Sequence, residues 1–176
     1  MHALSVVLLP PGISLDENVL YDALDSLLAP FYSELEPDEP MRNEYYDAHA
    51  IMNITARYCV RPTDLQKIAA KLRKALGADC SVDEHGLYYT TNLNPNRKLD
   101  YWTLHNIETD VWPARHMPCD LLPSAVITPD GHWNDTGAEK YASDLTADER
   151  QAIGQRAYVL MDQYPECWAV ALDCHS

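Results

Sequence analysis

Phenylalanine, glycine and positive charge are all scarce in this chain. Phe31 stands alone beside eleven Tyr and four Trp, and only six Gly are spread over 176 residues. So few glycines leave no GxGxxG motif and no Walker A loop, both of which need close glycines to bring backbone amides to a phosphate. HExxH and the GxSxG nucleophile elbow are absent too. No run of eighteen apolar residues occurs, so no membrane-spanning helix is expected. Met1-His2-Ala3-Leu4 places no basic group before its apolar run, and no secretory leader is read there. The five cysteines (Cys59, Cys80, Cys119, Cys167 and Cys174) are odd in number and form no CxxC. Reduced thiols in a cytoplasm are the expectation, rather than a disulfide framework.

The shortage of bases has a pattern. Thirteen Lys and Arg face 27 Asp and Glu, for a net charge of −14. No Lys or Arg precedes Arg42, while residues 1–50 hold ten acids. Direct binding to nucleic acid is disfavoured, because a phosphate backbone is held by a basic face that releases counterions. A basic site on another protein is the complementary target. The candidate contact residues are Asp16, Glu17, Asp22, Asp25, Glu34, Glu36, Asp38 and Glu39. The exception to the acidic trend is Lys67, Lys71, Arg73 and Lys74, which fit a solvated helix face better than an anion site.

What is present suits a globular protein. The hydrophobic fraction is 47%, and the length suits one domain over 1–176 with an acidic, Pro-containing loop near 34–40. Ala3 to Leu9 reads as a buried strand stopped by Pro10-Pro11-Gly12. Ser14 and Glu17 have capping-box spacing before a helix striped by Val19, Leu20, Ala23, Leu24, Leu27 and Leu28 and ended by Pro30. Met41, Tyr45, Ala48, Met52 and Ala56 share one helical face, although Ile51 to Tyr58 also reads as a strand. Thr63 caps a clearer helix carrying Leu65, Ile68, Ala69, Leu72 and Leu76, with Gly77 at its end. Val82 to Thr91 reads as a turn into a strand, Leu99 to His105 as a strand, and Ser124 to Thr128 as a strand closed by the Pro129-Asp130-Gly131 turn. Thr146 and Glu149 form T-x-x-E before a last helix, and Cys167 to Asp173 is a terminal strand. Strands and helices alternate without a regular βαβ rhythm. The expected fold is α+β, a mostly antiparallel sheet with three or four helices mainly on one face.

Three Asp/His pairs carry what chemistry the sequence offers: Asp100 with His105, Asp130 with His132, and Asp173 with His175. If their strands adjoin, the carboxylates and imidazoles converge into an acid/base or divalent-metal site. His132, Asp173 and His175 are then the candidate ligands. The simpler reading is solvated imidazoles at strand ends and a turn-forming Asp130, with no metal and no cofactor. Side chains alternate along a strand, so Asp173 and His175 share one face and Cys174 takes the other. That split weakens any Cys–His nucleophile built from neighbours. Tyr101, Trp102, Trp112, Trp133 and Trp168 read as core or rim packing before they read as a ligand pocket.

Four segments together carry a family likeness. Leu28-Ala29-Pro30-Phe31, Asn94-Pro95-Asn96-Arg97-Lys98-Leu99-Asp100-Tyr101-Trp102, Thr128-Pro129-Asp130-Gly131-His132-Trp133 and the closing Asp173-Cys174-His175 occur in this order. The chain resembles an uncharacterised family of small phage and actinobacterial proteins with NPxxKWDWY, GGRW, TPDGxW and C-terminal DCH motifs. The GGRW element has no counterpart, since His105-Asn106-Ile107-Glu108 stands in its place. The resemblance implies a phage or prophage source and a host cytoplasm, and it transfers no activity. The leading expectation is an acidic, non-enzymatic interaction protein that binds a basic site on a host protein. An anti-defence inhibitor such as an anti-CRISPR protein would fit that description. A metal-dependent enzyme or ligand binder using the Asp/His residues, and a virion assembly component, are the alternatives.

Overall fold

A computed structural model describes residues 2–34, 41–77, 79–118, 120–138 and 142–175. The expected loop near 34–40 lies almost wholly outside them, as do Glu36, Asp38, Glu39 and Cys119. The chain divides into two compact units, Met1–Ser33 with Asn94–Ser176, and Glu34–Leu93. Within the expected single stretch 1–176, each of the two units has a core of its own.

In the first unit, β1 (His2–Leu9) lies between β9 (Trp168–His175) and β7 (Ala125–Ile127). The β1–β9 pair is antiparallel over eight residues, from His2 opposite His175 to Leu9 opposite Trp168. β7 runs parallel to β1, with Ser5 opposite Ala125 and Val7 opposite Ile127. β8 (Trp133–Asp135) extends the sheet beyond β7. On the other side, two short strands share the β9 edge, β5 (Tyr101–Thr103) at its end and β6 (Val111–Pro113) at its start. A short helix, α4 (Ile107–Asp110), separates them. This is the α+β, mostly antiparallel sheet the sequence implied.

The helices of this unit divide between two faces rather than gathering on one. α1 (Glu17–Leu28) buries Leu20, Leu24 and Leu28 in one cluster with Val7, Leu9, Ile127, Val170 and Leu172. α5 (Ala147–Asp162) contributes Ala157 and Met161 to a second cluster with Val6, Leu8, Val126 and Ala169. Alternate residues of β1 enter different clusters, which is why Val6 to Leu9 is apolar without alternating. The Thr146–Glu149 capping box forms as expected. At α1 the cap is Asp16 rather than Ser14, because the helix starts at Glu17 and the Asp16 carboxylate accepts the Asn18 amide.

The second unit is a three-stranded antiparallel sheet, β2 (Arg42–Tyr45), β4 (Gly86–Thr91) and β3 (Cys80–Asp83), with helices α2 (Ala48–Tyr58) and α3 (Leu65–Leu76). Its core gathers Ile68, Ala69, Leu72, Cys80 and Leu87. The helix read from Met41 begins instead at Ala48. Asp47 caps it by accepting the Ala50 amide, and Arg42 to Tyr45 pair with β4. Lys67, Lys71, Arg73 and Lys74 form an exposed face of α3, and Lys67 bonds the capping Asp64 at 2.6 Å. Among the described residues no helix is long and apolar enough to cross a membrane.

Candidate functional site

The pleat decides which polar groups meet. His2, Leu4, Val6 and Leu8 stand on one face of β1, and Ala169, Ala171, Asp173 and His175 on the same face of β9. α5 covers the Val6–Leu8 half of that face. At the other half, His2 Nδ1 lies 2.9 Å from Asp173 Oδ2, and His175 Nε2 lies 3.3 Å from the same oxygen. The two imidazoles meet edge to face at 4.0 Å between centroids. His2 is 67% exposed, Asp173 26% and His175 14%, so two members are set into the fold and one faces solvent.

The surroundings fix His175. Tyr101, its partner across β5–β9, stacks on the ring at 4.1 Å and 15°. The Asp100 amide donates to the His175 carbonyl at 2.6 Å. Thr103 lies opposite Asp173, and its Oγ1 is buried without a hydrogen-bond partner. A cleft of about 320 Å³ opens beside the group, lined by His2 and Asp173 together with Leu4, His105, Asp110 and Trp112. Larger grooves flank α5, at about 680 and 730 Å³, but their linings hold neither histidine nor cysteine. Chemistry therefore favours the smaller cleft over the larger grooves.

Two of the expected pairs do not join this group. Asp130 and His132 sit in the turn after β7. Because β7 runs parallel to β1, that turn lies toward Leu9, at the end opposite His2. The span is on the order of 20 Å at the usual strand rise. There His132 Nε2 is 3.6 Å from Asp130 Oδ2, and both side chains are exposed. The Thr128 hydroxyl donates to Asp130 and holds its carboxyl below the usual range. Asp100 is also diverted, since its carboxylate accepts from Ser33 Oγ. His105 does reach the cleft.

Sequence reasoning missed His2. The signal was available in principle: two strands of similar length, each apolar along most of its run and each carrying a histidine near one end. Cys174 faces the α1 side with Leu172, as its position between Asp173 and His175 required. Burial pushes its thiol up from the ordinary cysteine value, the opposite of the shift that activates a nucleophilic cysteine. Among the aromatics, Trp102, Trp133 and Trp168 pack against the α1 cluster, as expected of core and rim, while Trp112 lines the cleft.

The acidic candidates have separate positions. Asp16, Glu17, Asp22 and Asp25 are exposed on or beside α1. Asp25 also accepts from Tyr32 Oη at 2.7 Å and Trp102 Nε1 at 3.2 Å. Burial first, and that carboxylate second, push the Tyr32 phenol up to about 12. Glu34 belongs to the other unit, where it bridges Leu93.

No family model, curated protein or solved structure matches the chain.

Proposed function

We propose that this protein acts by binding a basic site on a partner protein, with the outward face of α1 as the contact. One observation carries the reading: Glu17, Asp22 and Asp25 are exposed along the helix, with Asp16 at its cap and no Lys or Arg before residue 42. None of the ion pairs among the described residues uses these four carboxylates. A field of one sign speeds encounter with an oppositely charged site and weakens with salt. The phage resemblance makes a host protein the expected owner of that site. A channel that normally holds nucleic acid, as in a defence effector, is one form it would take. The function needs no catalysis.

The test compares wild type with D16K/E17K/D22K as bait in bacterial lysate at rising salt, after circular dichroism has established equal folding. Asp25 is left in place because it holds Tyr32 and Trp102. A protein retained by wild type, released by salt and lost by the triple variant supports the reading. Equal retention by both baits overturns it.

A further inference from the structure

We propose that His2 Nδ1, Asp173 Oδ2 and His175 Nε2 form a three-ligand site for a divalent transition-metal ion, with its remaining coordination open to the adjoining cleft. This inference goes beyond partner binding and does not depend on it.

The donor set comes first. Two imidazoles and one carboxylate are the ligands that zinc, and iron, cobalt or manganese in their divalent states, take from proteins. Calcium and magnesium prefer oxygen and are poorly served by two histidines. Three side-chain ligands rather than four leave a position for water or a ligand, the arrangement of sites that handle substrates rather than hold a fold together.

The spacing agrees. An ion bound at about 2.0–2.2 Å by tetrahedral donors holds those donors roughly 3.3 Å apart. Here two separations are 2.9 and 3.3 Å, and all three donor atoms lie within 4.8 Å of one another. The backbone already sets this geometry. His2 and His175 are register partners, and Asp173 is two residues along the same face. Little ordering remains to be done when the ion arrives. A bare hydrogen-bonded group would place the atoms similarly, so spacing alone does not decide.

Three neighbours favour the ion. Tyr101 stacks on His175 and fixes the plane of its ring, as groups outside the ligand shell do at metal centres. Thr103 Oγ1 is buried, unpartnered and directly across the sheet from Asp173. A buried hydroxyl without a partner is unfavourable, and this one stands on the strand beside the ligand carboxylate as a polar group that no protein atom satisfies. Finally, the cleft gives an exchangeable ligand a route to the centre, with the apolar Leu4 and Trp112 on its walls and His105 and Asp110 beside them. The ligand class this fits is a small molecule with an apolar body and one metal-binding group, such as a carboxylate.

The experiment uses tag-free, full-length protein stripped with chelator and then titrated with Zn²⁺ by calorimetry and with Co²⁺ by visible absorption. One ion per chain is expected, with a Co²⁺ spectrum showing low-symmetry nitrogen and oxygen coordination. Asp173→Asn, which keeps shape, and His2→Ala, which sits exposed at the start of its strand, should each weaken binding roughly tenfold or more. Circular dichroism should stay unchanged for both. His132→Ala should bind as wild type does. Absence of stoichiometric uptake of either ion overturns the proposal, as does uptake that survives both Asp173→Asn and His2→Ala. Loss in His2→Ala with full retention in Asp173→Asn also overturns it, since the ion would then be held by the chain start alone.

Discussion

Asp130-Gly131-His132 and Asp173-Cys174-His175 have the same spacing of the same two polar groups, and they do different things. In the first, the middle residue is a glycine at φ +78° in a turn. The flanking groups are exposed and 3.6 Å apart, at the end of β1 away from His2. In the second, the middle residue is a strand cysteine whose side chain enters the core. The flanking groups then project together from the opposite face, where β1 delivers His2. An Asp-x-His pattern thus acquires a third partner only when its backbone is extended and its strand has a neighbour in register. On the turn its further partner is local, the Thr128 hydroxyl two residues before Asp130.

The comparison can be broken at the strand first. Leu172→Ala removes a fully buried side chain next to the second pair and should cost about 2–5 kcal/mol, read as a lower urea midpoint. His132→Ala, at the exposed pair, should stay within about 0.5 kcal/mol. Ligand binding separates the pairs next: Asp173→Asn should lose roughly tenfold or more in Zn²⁺ affinity by calorimetry, and Asp130→Asn should lose nothing. At the middle residue of the turn, Gly131→Ala meets open space but keeps a positive φ, and should cost about 1 kcal/mol in thermal unfolding.

The smallest effect sharpens the electrostatics of the turn. Thr128→Val removes the hydroxyl that holds Asp130 low, so the carboxyl should titrate higher by NMR. A carboxylate held low in the folded state stabilises above its unfolded range and loses that contribution as pH falls through its folded value. The pH-dependent part of the gap between wild type and Thr128→Val should therefore be full at neutral pH and close in acid.

Much of the fold was legible because its signals are local. The Thr146–Glu149 box, the stripe of α3 with Gly77 beyond it, and the apolar run of β1 each describe a few adjacent residues. Errors fell where distant partners compete with local pattern. Arg42 to Tyr45 fit a helical stripe but pair with β4, and Leu99 to His105 yields only a three-residue strand because β5 and β6 share one edge of β9. The candidate site was half legible. Strand periodicity placed Asp173 and His175 together and Cys174 apart. The Pro129-Asp130-Gly131 signal marked the other pair as a turn without saying at which end of the sheet it lies, and nothing local pointed to His2.

By itself, then, the sequence determined the acidic balance, the absence of phosphate-binding and nucleophile motifs, the α+β class, and the shared face of Asp173 and His175. Tertiary structure alone decided that α1 and α5 take opposite faces, that the Asp130–His132 turn lies at the far end of the sheet, and that His2 completes the group. The reason is range. Side-chain alternation is a property of neighbouring residues, whereas the meeting of residues 2 and 173 depends on the direction and register of two strands, which the packed cores on both faces select together.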